Sequence, residues 1–438
     1  MKHLLKVLLA VLLANVSIVF SYGDSDTSAV LDKLVERGIL TEQEAVDAKK
    51  LSTTAPVVST SPVQKIRFLQ FWHIRYQHMI QDDHDGYSLD KGNFALRRIV
   101  PVFLADITDK TKYMLTLYLP SSSVINTMRL THDVDTKHIK GSFWVAHEAM
   151  FFCMEEFESG TRIMTPDRSI INMYFGDGDH NYHAGDKRKY TSTLAFSGYH
   201  TGISWHGKFI KNENIIYRVQ IVNSKPQRID FDASNGVAVF ATLGYNRGGN
   251  YDYTRWGVNV GYSSRVVSAI SGSTLPSKVQ DYGDCFGINP YFWWSNTRFT
   301  FQSEFVAASA KYGATLNDET PLYTTNSPRA TPWGFYFLGA YKFDVNPFGQ
   351  LEPLFRYTYM NTDGRGVNEK SVLYCAENMG GLYNKVDSFY VGTNWYVQGN
   401  NIKYQLGIEY ARFRDAPSGL DDRKSDVLMF ILQMQLFF

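Results

Sequence analysis

The sequence predicts an all-β chain, a transmembrane antiparallel β-barrel of about 16 strands preceded by a short helical segment. Three observations predict it. Side chains alternate with a period of two from Lys65 to the last residue. Aromatic residues make up 15% of 438 residues, beside 33 glycines. An export signal opens the chain, and no later apolar run is long enough to span a bilayer as a helix. Only helices and closed barrels satisfy their backbone groups in lipid, so a membrane-spanning mature chain has to be a barrel.

The leader reads MKHLLKVLLAVLLANVSIVFSYG. Lys2 and Lys6 give a positive start, Val7 to Phe20 an apolar core, and Ser21-Tyr22-Gly23 small residues at a cleavage site. Residues 1–23 are therefore expected to be a cleaved signal peptide, and the mature chain to reach the cell outer membrane. Residues 24–51 follow as a helical segment. Val30, Leu31, Leu34 and Val35 recur at helical spacing, Gly38 stops the first helix, and Thr41 with Glu44 forms a capping box for a second. The Thr/Ser/Pro/Val-rich stretch 52–64 reads as a linker, and 65–438 as the barrel.

Strands justify themselves one by one. In SDVLMFILQMQLFF, Leu428, Phe430, Leu432, Met434 and Leu436 share one face; Met429, Ile431, Gln433 and Gln435 share the other. Phe299, Phe301 and Phe305 oppose Thr300, Gln302 and Glu304, and Trp256, Val258, Val260 and Tyr262 oppose Arg255, Gly257, Asn259 and Gly261. A soluble sandwich would put Lys and Glu on the second face; here it carries Gly, Asn, Gln, Thr and Tyr, as a watery lumen would. The segments fall near 65–80, 92–106, 111–120, 141–152, 156–165, 200–210, 213–223, 235–246, 253–264, 282–294, 296–308, 331–344, 348–361, 385–397, 400–413 and 425–438. Short connections such as KNEN and DVNPF alternate with long ones such as 166–199, 265–281, 309–330 and 362–384, so the short ones read as periplasmic turns and the long ones as outer loops.

Forty-four basic residues balance 43 acidic ones, which leaves no basic excess for nucleic acid. Cys153, Cys285 and Cys375 are too few and too far apart for a disulfide framework or a zinc site. Phosphate-loop, Gly-x-Ser-x-Gly and His-Glu-x-x-His motifs are absent; His147-Glu148 lacks a second histidine. Ser204 and His206 sit two apart on one strand, where a polar lumen pair is a commoner arrangement than a catalytic one. No enzyme, cofactor or metal is expected. Asp177, Asp179, His180, His183 and Asp186 cluster without the spacing of a metal site.

The alternation places Lys208, Arg218, Arg255, Arg298, Lys342, Arg356 and Lys403 in the lumen, against Glu304, Glu352 and Glu409. Fixed charge in a narrow channel biases ion entry, so a mild anion preference is expected. The longest connection carries Arg168 and the run Asp186, Lys187, Arg188, Lys189; folded inward it would form the constriction.

Several stretches resemble a known family. LDKLVERGILTEQEA resembles the helical preface of porin-like proteins of Gram-negative bacteria. KGNFALRRIVPVFLADI, with Arg97 and Arg98, is similar to the paired-arginine second strand of the phosphate-selective porin O and P family, and TRIMTPDRSIINMYFG to its third-loop segment. Terminal Phe438 resembles the residue by which the barrel-assembly machinery recognises its clients. The resemblance implies a homotrimeric, sixteen-stranded outer-membrane porin in contact with lipid, passing small hydrophilic or anionic solutes. The alternative is a structural or adhesive surface barrel with a plugged lumen.

Overall fold

In a computed structural model the chain forms a closed antiparallel barrel of sixteen strands. The structure describes residues 63–438 apart from 85, 87, 120–124, 177–192, 195, 224–235, 250–251, 266–282, 312–328, 375, 378–381 and 416–423, together with Glu36 and Glu42. The strands are β1 (Lys65–Asp82), β2 (Ser88–Asp106), β3 (Thr111–Leu117), β4 (Ile125–Asp135), β5 (Lys140–Ala149), β6 (Tyr199–Phe209), β7 (Asn212–Asn223) and β8 (Val237–Gly248). They continue with β9 (Tyr253–Arg265), β10 (Gly283–Ser295), β11 (Phe299–Lys311), β12, β13 (Gln350–Asn361), β14 (Lys385–Tyr396), β15 (Ile402–Arg414) and β16 (Ser425–Phe437). Strand β12 runs as three pieces end to end, Arg329–Ala330, Trp333–Tyr341 and Phe343–Asp344. Neighbours in sequence are neighbours in the sheet, and β1 pairs with both β2 and β16, so no edge is left open.

Two compact units divide the chain. Residues 67–104 and 109–438 make the barrel; 1–66 with 105–108 make the other. In that second unit Glu36 and Glu42 are helical and exposed, and the Gln64 N–H donates to the Asp106 carbonyl. The expected signal peptide, and the expected linker apart from Val63 and Gln64, lie outside the described residues.

Alternation fixes which face is which. Leu428, Phe430 and Leu432 are exposed on the outer wall while Met429, Ile431, Gln433 and Gln435 are buried inside. Phe299, Phe301 and Phe305 likewise point out, with Gln302 and Glu304 buried within. A one-residue slip would turn every such pair inside out. The outer wall is thus a continuous apolar belt with aromatic contacts between adjacent strands, such as Phe299–Tyr341 at 4.5 Å and Tyr357–Phe389 at 4.7 Å. Turns of a few residues join the strands at one rim; the strand ends joined by 150–198, 224–236, 266–282, 312–328 and 362–384 lie at the other.

Two segments differ from the sequence reading. Residues 156–165, expected as a strand, belong to a loop, and 125–135, expected as a connection, is β4. The alternation around Phe157 is brief and Gly160 interrupts it; side chains of the wall, not a neighbouring strand, bind that backbone. In β4, Arg129, His132 and Asp133 mask a real alternation in which Met128 and Leu130 face out and Thr127 faces in. Loop 3 therefore starts at 150 rather than 166.

The seam between β1 and β16 runs from Phe71 opposite Phe437 to Asp82 opposite Asp426. Phe438 extends it: its N–H donates to the Gln70 carbonyl, its carbonyl accepts from the Gln70 N–H, and its ring meets Trp72 edge-on at 5.7 Å. Deleting Phe438 is expected to lower the folded, heat-modifiable fraction on semi-native gels while export continues. An unchanged fraction would remove this residue from the assembly of the seam.

Candidate functional site: the loop-lined lumen

Loop 3 leaves β5 at Met150 and turns into the barrel. Phe151, Phe152, Cys153, Tyr174, Phe175, Leu194 and Phe196 are all fully or almost fully buried. Helix α1 (Met154–Phe157) and helix α2 (Ile170–Phe175) lie on the way. The inner wall is shaped for them. A Cβ added at Gly287 would sit 2.6 Å from Phe196 and 2.7 Å from Phe152, so only glycine admits these rings. Val222, Ala238, Phe240, Val306, Ala308, Val386, Phe413 and Val427 complete an apolar cluster inside the barrel. The expectation of a wholly watery lumen is corrected here: its half nearer the long loops is dry over β7–β16.

A loop inside a barrel must bond its backbone to something other than a sheet. Over β7–β12 the wall supplies acceptors. Gln220 accepts the Phe151 N–H at 3.1 Å, Asn289 the Cys153 N–H at 2.9 Å, and Glu304 the N–H groups of Met154 and Glu155 at 2.7 and 3.1 Å. Asn259 and Tyr336 brace that row by donating to Asn289 and Glu304. Over β13–β16 and β1 the wall supplies donors. Lys403 donates to the carbonyls of Thr161 and Ile163, Gln405 to that of Met164, Gln435 to that of Thr161, and Arg75 to that of Pro166. Arg75 also grips both oxygens of Asp167 at 2.8 and 2.9 Å. Arg356 binds the Asp167 carbonyl, Thr165, Glu155 and Glu409.

The described part of loop 7, the connection 362–384, packs against this arrangement. Its helix α3 (Glu369–Val372) is capped by Asn368, whose side chain accepts the Ser371 N–H at 2.9 Å. Val367, Val372 and Leu373 join the cluster that holds Ile171, Tyr174 and Phe175. The loop then crosses toward β1 and β2: Glu377 exchanges hydrogen bonds with Gln81, and the Tyr374 ring lies 3.6 Å from the Arg97 guanidinium.

The opposite side of the lumen, from β2 to β7, has a different character. Phe94 and Leu96 are exposed on the outer wall, yet Phe103 also packs outside, against Phe68. The parity of β2 therefore changes between them, and Arg97 and Arg98 both turn inward. Arg97 bonds Tyr118 at 2.8 Å; Arg98 comes within 2.7 Å of a Cβ built on Gly160 at the tip of loop 3. Arg129 lies 4.2 Å from the Trp144 ring and pairs with Glu148 at 3.1 Å, and Arg218 lies 3.8 Å from the Phe151 ring. Nearer the short-turn rim, Glu158 lies between Arg162 at 2.8 Å and Arg255 at 3.0 Å. A recess of about 50 Å³ opens there, lined by Arg162, Arg255, Lys342, Glu352 and Tyr396 among others.

The residues named from sequence separate into groups. Arg356, Lys403, Glu304, Glu352 and Glu409 are inward but at most 2% exposed; all but Glu352 are bonded to loop 3 or its anchors. Arg168 is buried too, paired with Glu156 at 3.2 Å. Arg218, Arg255 and Lys342 are half-buried, with Lys342 3.6 Å from Glu352. Lys208 is exposed at the short-turn end of β6, and Arg298 is exposed in the 296–298 turn. Asp186, Lys187, Arg188 and Lys189 lie outside the described residues, as do Asp177, Asp179, His180, His183 and Cys375. Cys153 and Cys285 are buried, and no disulfide joins them. Ser204 does reach His206, at 2.9 Å, but the imidazole is stacked on Trp144 at 3.5 Å and walled by Phe151. Sequence reading missed Arg75, Arg129, Glu155 and Asp167. The usable signal was Arg75 sharing the inward parity of β1 with His73, between the outward Trp72, Ile74 and Tyr76.

Asp167 is the hub of the clamp. Burial would push its carboxyl up, but Arg75 and Arg97 outweigh burial and hold it down at about 2. A carboxylate depressed from an ordinary value near 3.9 stabilises the fold fully above that value, and loses the contribution as pH falls through about 2. Loop 3 should thus resist protease at pH 4 and open only as pH approaches 2. Asp167→Asn leaves Arg75 uncompensated, at a cost of about 3–5 kcal/mol. It is expected to expose loop 3 to protease at neutral pH; continued resistance would show that the clamp lies elsewhere.

Among known proteins, no family model and no curated sequence matches the chain. Solved structures do. Salmonella typhi OmpF in complex with daunomycin is 11% identical, with a TM-score of 0.48 over 85% of this chain and 99% of that one. The outer membrane channel DcaP of Acinetobacter baumannii is 12% identical, with 0.48 over 85% and 97%. Pseudomonas putida OprB is 11% identical, with 0.44 over 85% and 94%.

Proposed function

We propose that the chain is a porin, a passive outer-membrane channel for small hydrophilic solutes with a preference for anions, and that it is not an enzyme. One observation carries this reading: the inward face of β2–β7 gathers Arg97, Arg98, Arg129 and Arg218 beside two carboxylates, Glu148 paired with Arg129 and Asp167 shared by Arg75 and Arg97, so that cations outnumber anions along that wall. The side chains of Arg97 and Arg129 keep 11% and 23% of their surface, so water reaches them inside the barrel. Fixed cations act strongly in a narrow passage because little solvent screens them. The apolar outer belt fits lipid, the long loops belong outside the cell, and the short turns face the periplasm. Homotrimeric assembly, the cleaved leader and recognition of Phe438 by the assembly machinery complete the proposal, supported by the family resemblance of the sequence.

A plugged structural or adhesive barrel is the second reading, favoured by the dry packing of loops 3 and 7. Planar-bilayer recordings decide between them: a plugged barrel shows no steady open level. For an open one, reversal potentials should report anion preference. Arg98→Glu and Arg129→Glu should each move them toward cations. Arg298→Glu, in an exposed turn, should have little effect. Arg356→Glu should lower the folded fraction rather than retune selectivity, since it places a carboxylate against Glu155 and Glu409. Equal responses of the Arg98 and Arg298 variants would end the case for the β2–β7 wall as the selective surface.

A further inference from the structure

The outer wall is not symmetric between its two rims. On β14–β16 the outward row at the short-turn rim holds Trp395, Tyr404, Leu436 and Phe438, with no charge among them. Along the same faces the apolar row continues through Phe389, Val391, Leu406, Ile408 and Leu428, all exposed. One step higher, about 7 Å along each strand, the chemistry changes completely. Asp387 follows Phe389, Arg412 follows Tyr410, Asp426 precedes Leu428, and Lys385, Arg414 and Lys424 lie beyond.

These groups form a lattice across three strands. Lys385 is opposite Arg414, Asp387 is opposite Arg412, and Arg412 is opposite Asp426. Arg414 pairs with Asp387, and Arg412 with Asp426 at 2.9 Å. Tyr357 and Tyr410 stand at the boundary, their rings at the apolar level and their hydroxyls donating up to Asp387 and Asp426 at 2.8 Å each. His84 reaches Asp426 from the adjacent loop at 2.9 Å. The two aspartates are thus turned inward to tyrosine and arginine, and are only 18% and 20% exposed. The cations around them are more exposed: Arg412 keeps 53% of its side-chain surface and Arg414 40%, while Lys385, at 38%, is paired with Asp415 at 2.6 Å, itself 45% exposed. What a molecule outside the wall meets is chiefly guanidinium, with the Lys385–Asp415 pair beside it, directly above apolar surface that fits acyl chains.

We propose that the outward rim of β14–β16 binds the phosphorylated headgroup of a lipid in the outer leaflet, with phosphate accepting from Arg412, Arg414 and Lys385 and acyl chains lying on Phe389, Val391, Ile408 and Leu428. Planar guanidinium forks suit phosphate oxygens, and Asp387 and Asp426 fix those forks while staying mostly covered. A third guanidinium, Arg329, stands on the outward rim of β10 and β12, paired at 3.0 Å with Asp284, which is 41% exposed. The site rests on the outer-membrane placement proposed above and adds the class of lipid that faces it.

The test uses the purified, folded full-length protein in detergent. Binding of a bis-phosphorylated diglucosamine lipid is compared by native mass spectrometry with binding of the same lipid after phosphatase treatment. Wild type should retain the phosphorylated lipid and release the treated one. Lys385→Gln/Arg412→Gln/Arg414→Gln should bind the phosphorylated lipid on the order of a hundredfold more weakly, and Arg412→Lys/Arg414→Lys should recover most of that loss. Equal retention of both lipids by wild type, or an unchanged triple variant, overturns the site; the wild-type comparison decides even if the triple variant misfolds. Bilayer conductance of the same samples separates the two readings, because a non-conducting protein that still selects the phosphorylated lipid fails as a porin and keeps this site.

Discussion

A long connection placed inside a barrel carries peptide groups that water can no longer bond, and the rest of this structure follows from how they are satisfied. An orphaned buried N–H or C=O costs about 1–3 kcal/mol, so a loop of this length stays inside only if the wall is built to receive it. The wall is built in two registers. Gln220, Asn289 and Glu304 accept from the entering strand of the loop, whereas Lys403, Gln405, Gln435 and Arg75 donate to its returning carbonyls. The two sets stand on opposite sides of the lumen, which fixes the path of loop 3 across it.

That division explains why inward charge and open charge are different things here. An inward arginine on a barrel strand looks alike in sequence whether it meets water or a loop. Arg356 contacts Glu155, Glu409, Thr165 and the Asp167 carbonyl, so its charge is spent on structure. Arg98 stands on the other side of the same lumen, reaching loop 3 beside Gly160. Four strands separate β13 from β2 around the seam, and the position of one loop decides the role of each residue.

The barrel itself was legible because its signal is local. Strict alternation in β9, β11, β15 and β16 names the outer face without knowledge of any partner strand, and connection lengths name the rims. The count of sixteen agreed only because a false strand at 156–165 stood in for the missed β4. The lumen was far less legible. Glycines on the inner face read as the small residues of a water-filled pore, but at Gly287 the missing Cβ is the socket for Phe152 and Phe196. Whether a small inward residue faces water or an aromatic ring depends on a segment about 90 to 135 positions away, which no local pattern encodes. Arg97 and Arg98 show the same limit: consecutive residues on a strand should face opposite ways, and only the parity change between Leu96 and Phe103 turns both inward.

The inward arginines of the β2–β7 wall share one further property. Arg97, Arg129 and Arg218 each lie against an aromatic ring, Tyr374, Trp144 and Phe151, at 3.6 to 4.2 Å. Arg97 and Arg129 also have carboxylate partners, Asp167 at 3.6 Å and Glu148 at 3.1 Å, which offset their charge. A ring orients an arginine through its quadrupole, worth about 0.5–2 kcal/mol depending on desolvation, without offsetting its charge, as Phe151 does for Arg218. A column of such contacts runs from Arg129 through Trp144 and His206 to Phe151 and Arg218, with His206 3.5 Å from Trp144 and 5.0 Å from Phe151. Since Phe151 belongs to loop 3, the loop that fills one side of the lumen also props up the charged wall on the other. Packing and electrostatics are therefore coupled: moving the loop would free the passage and, in the same motion, release the ring that holds Arg218.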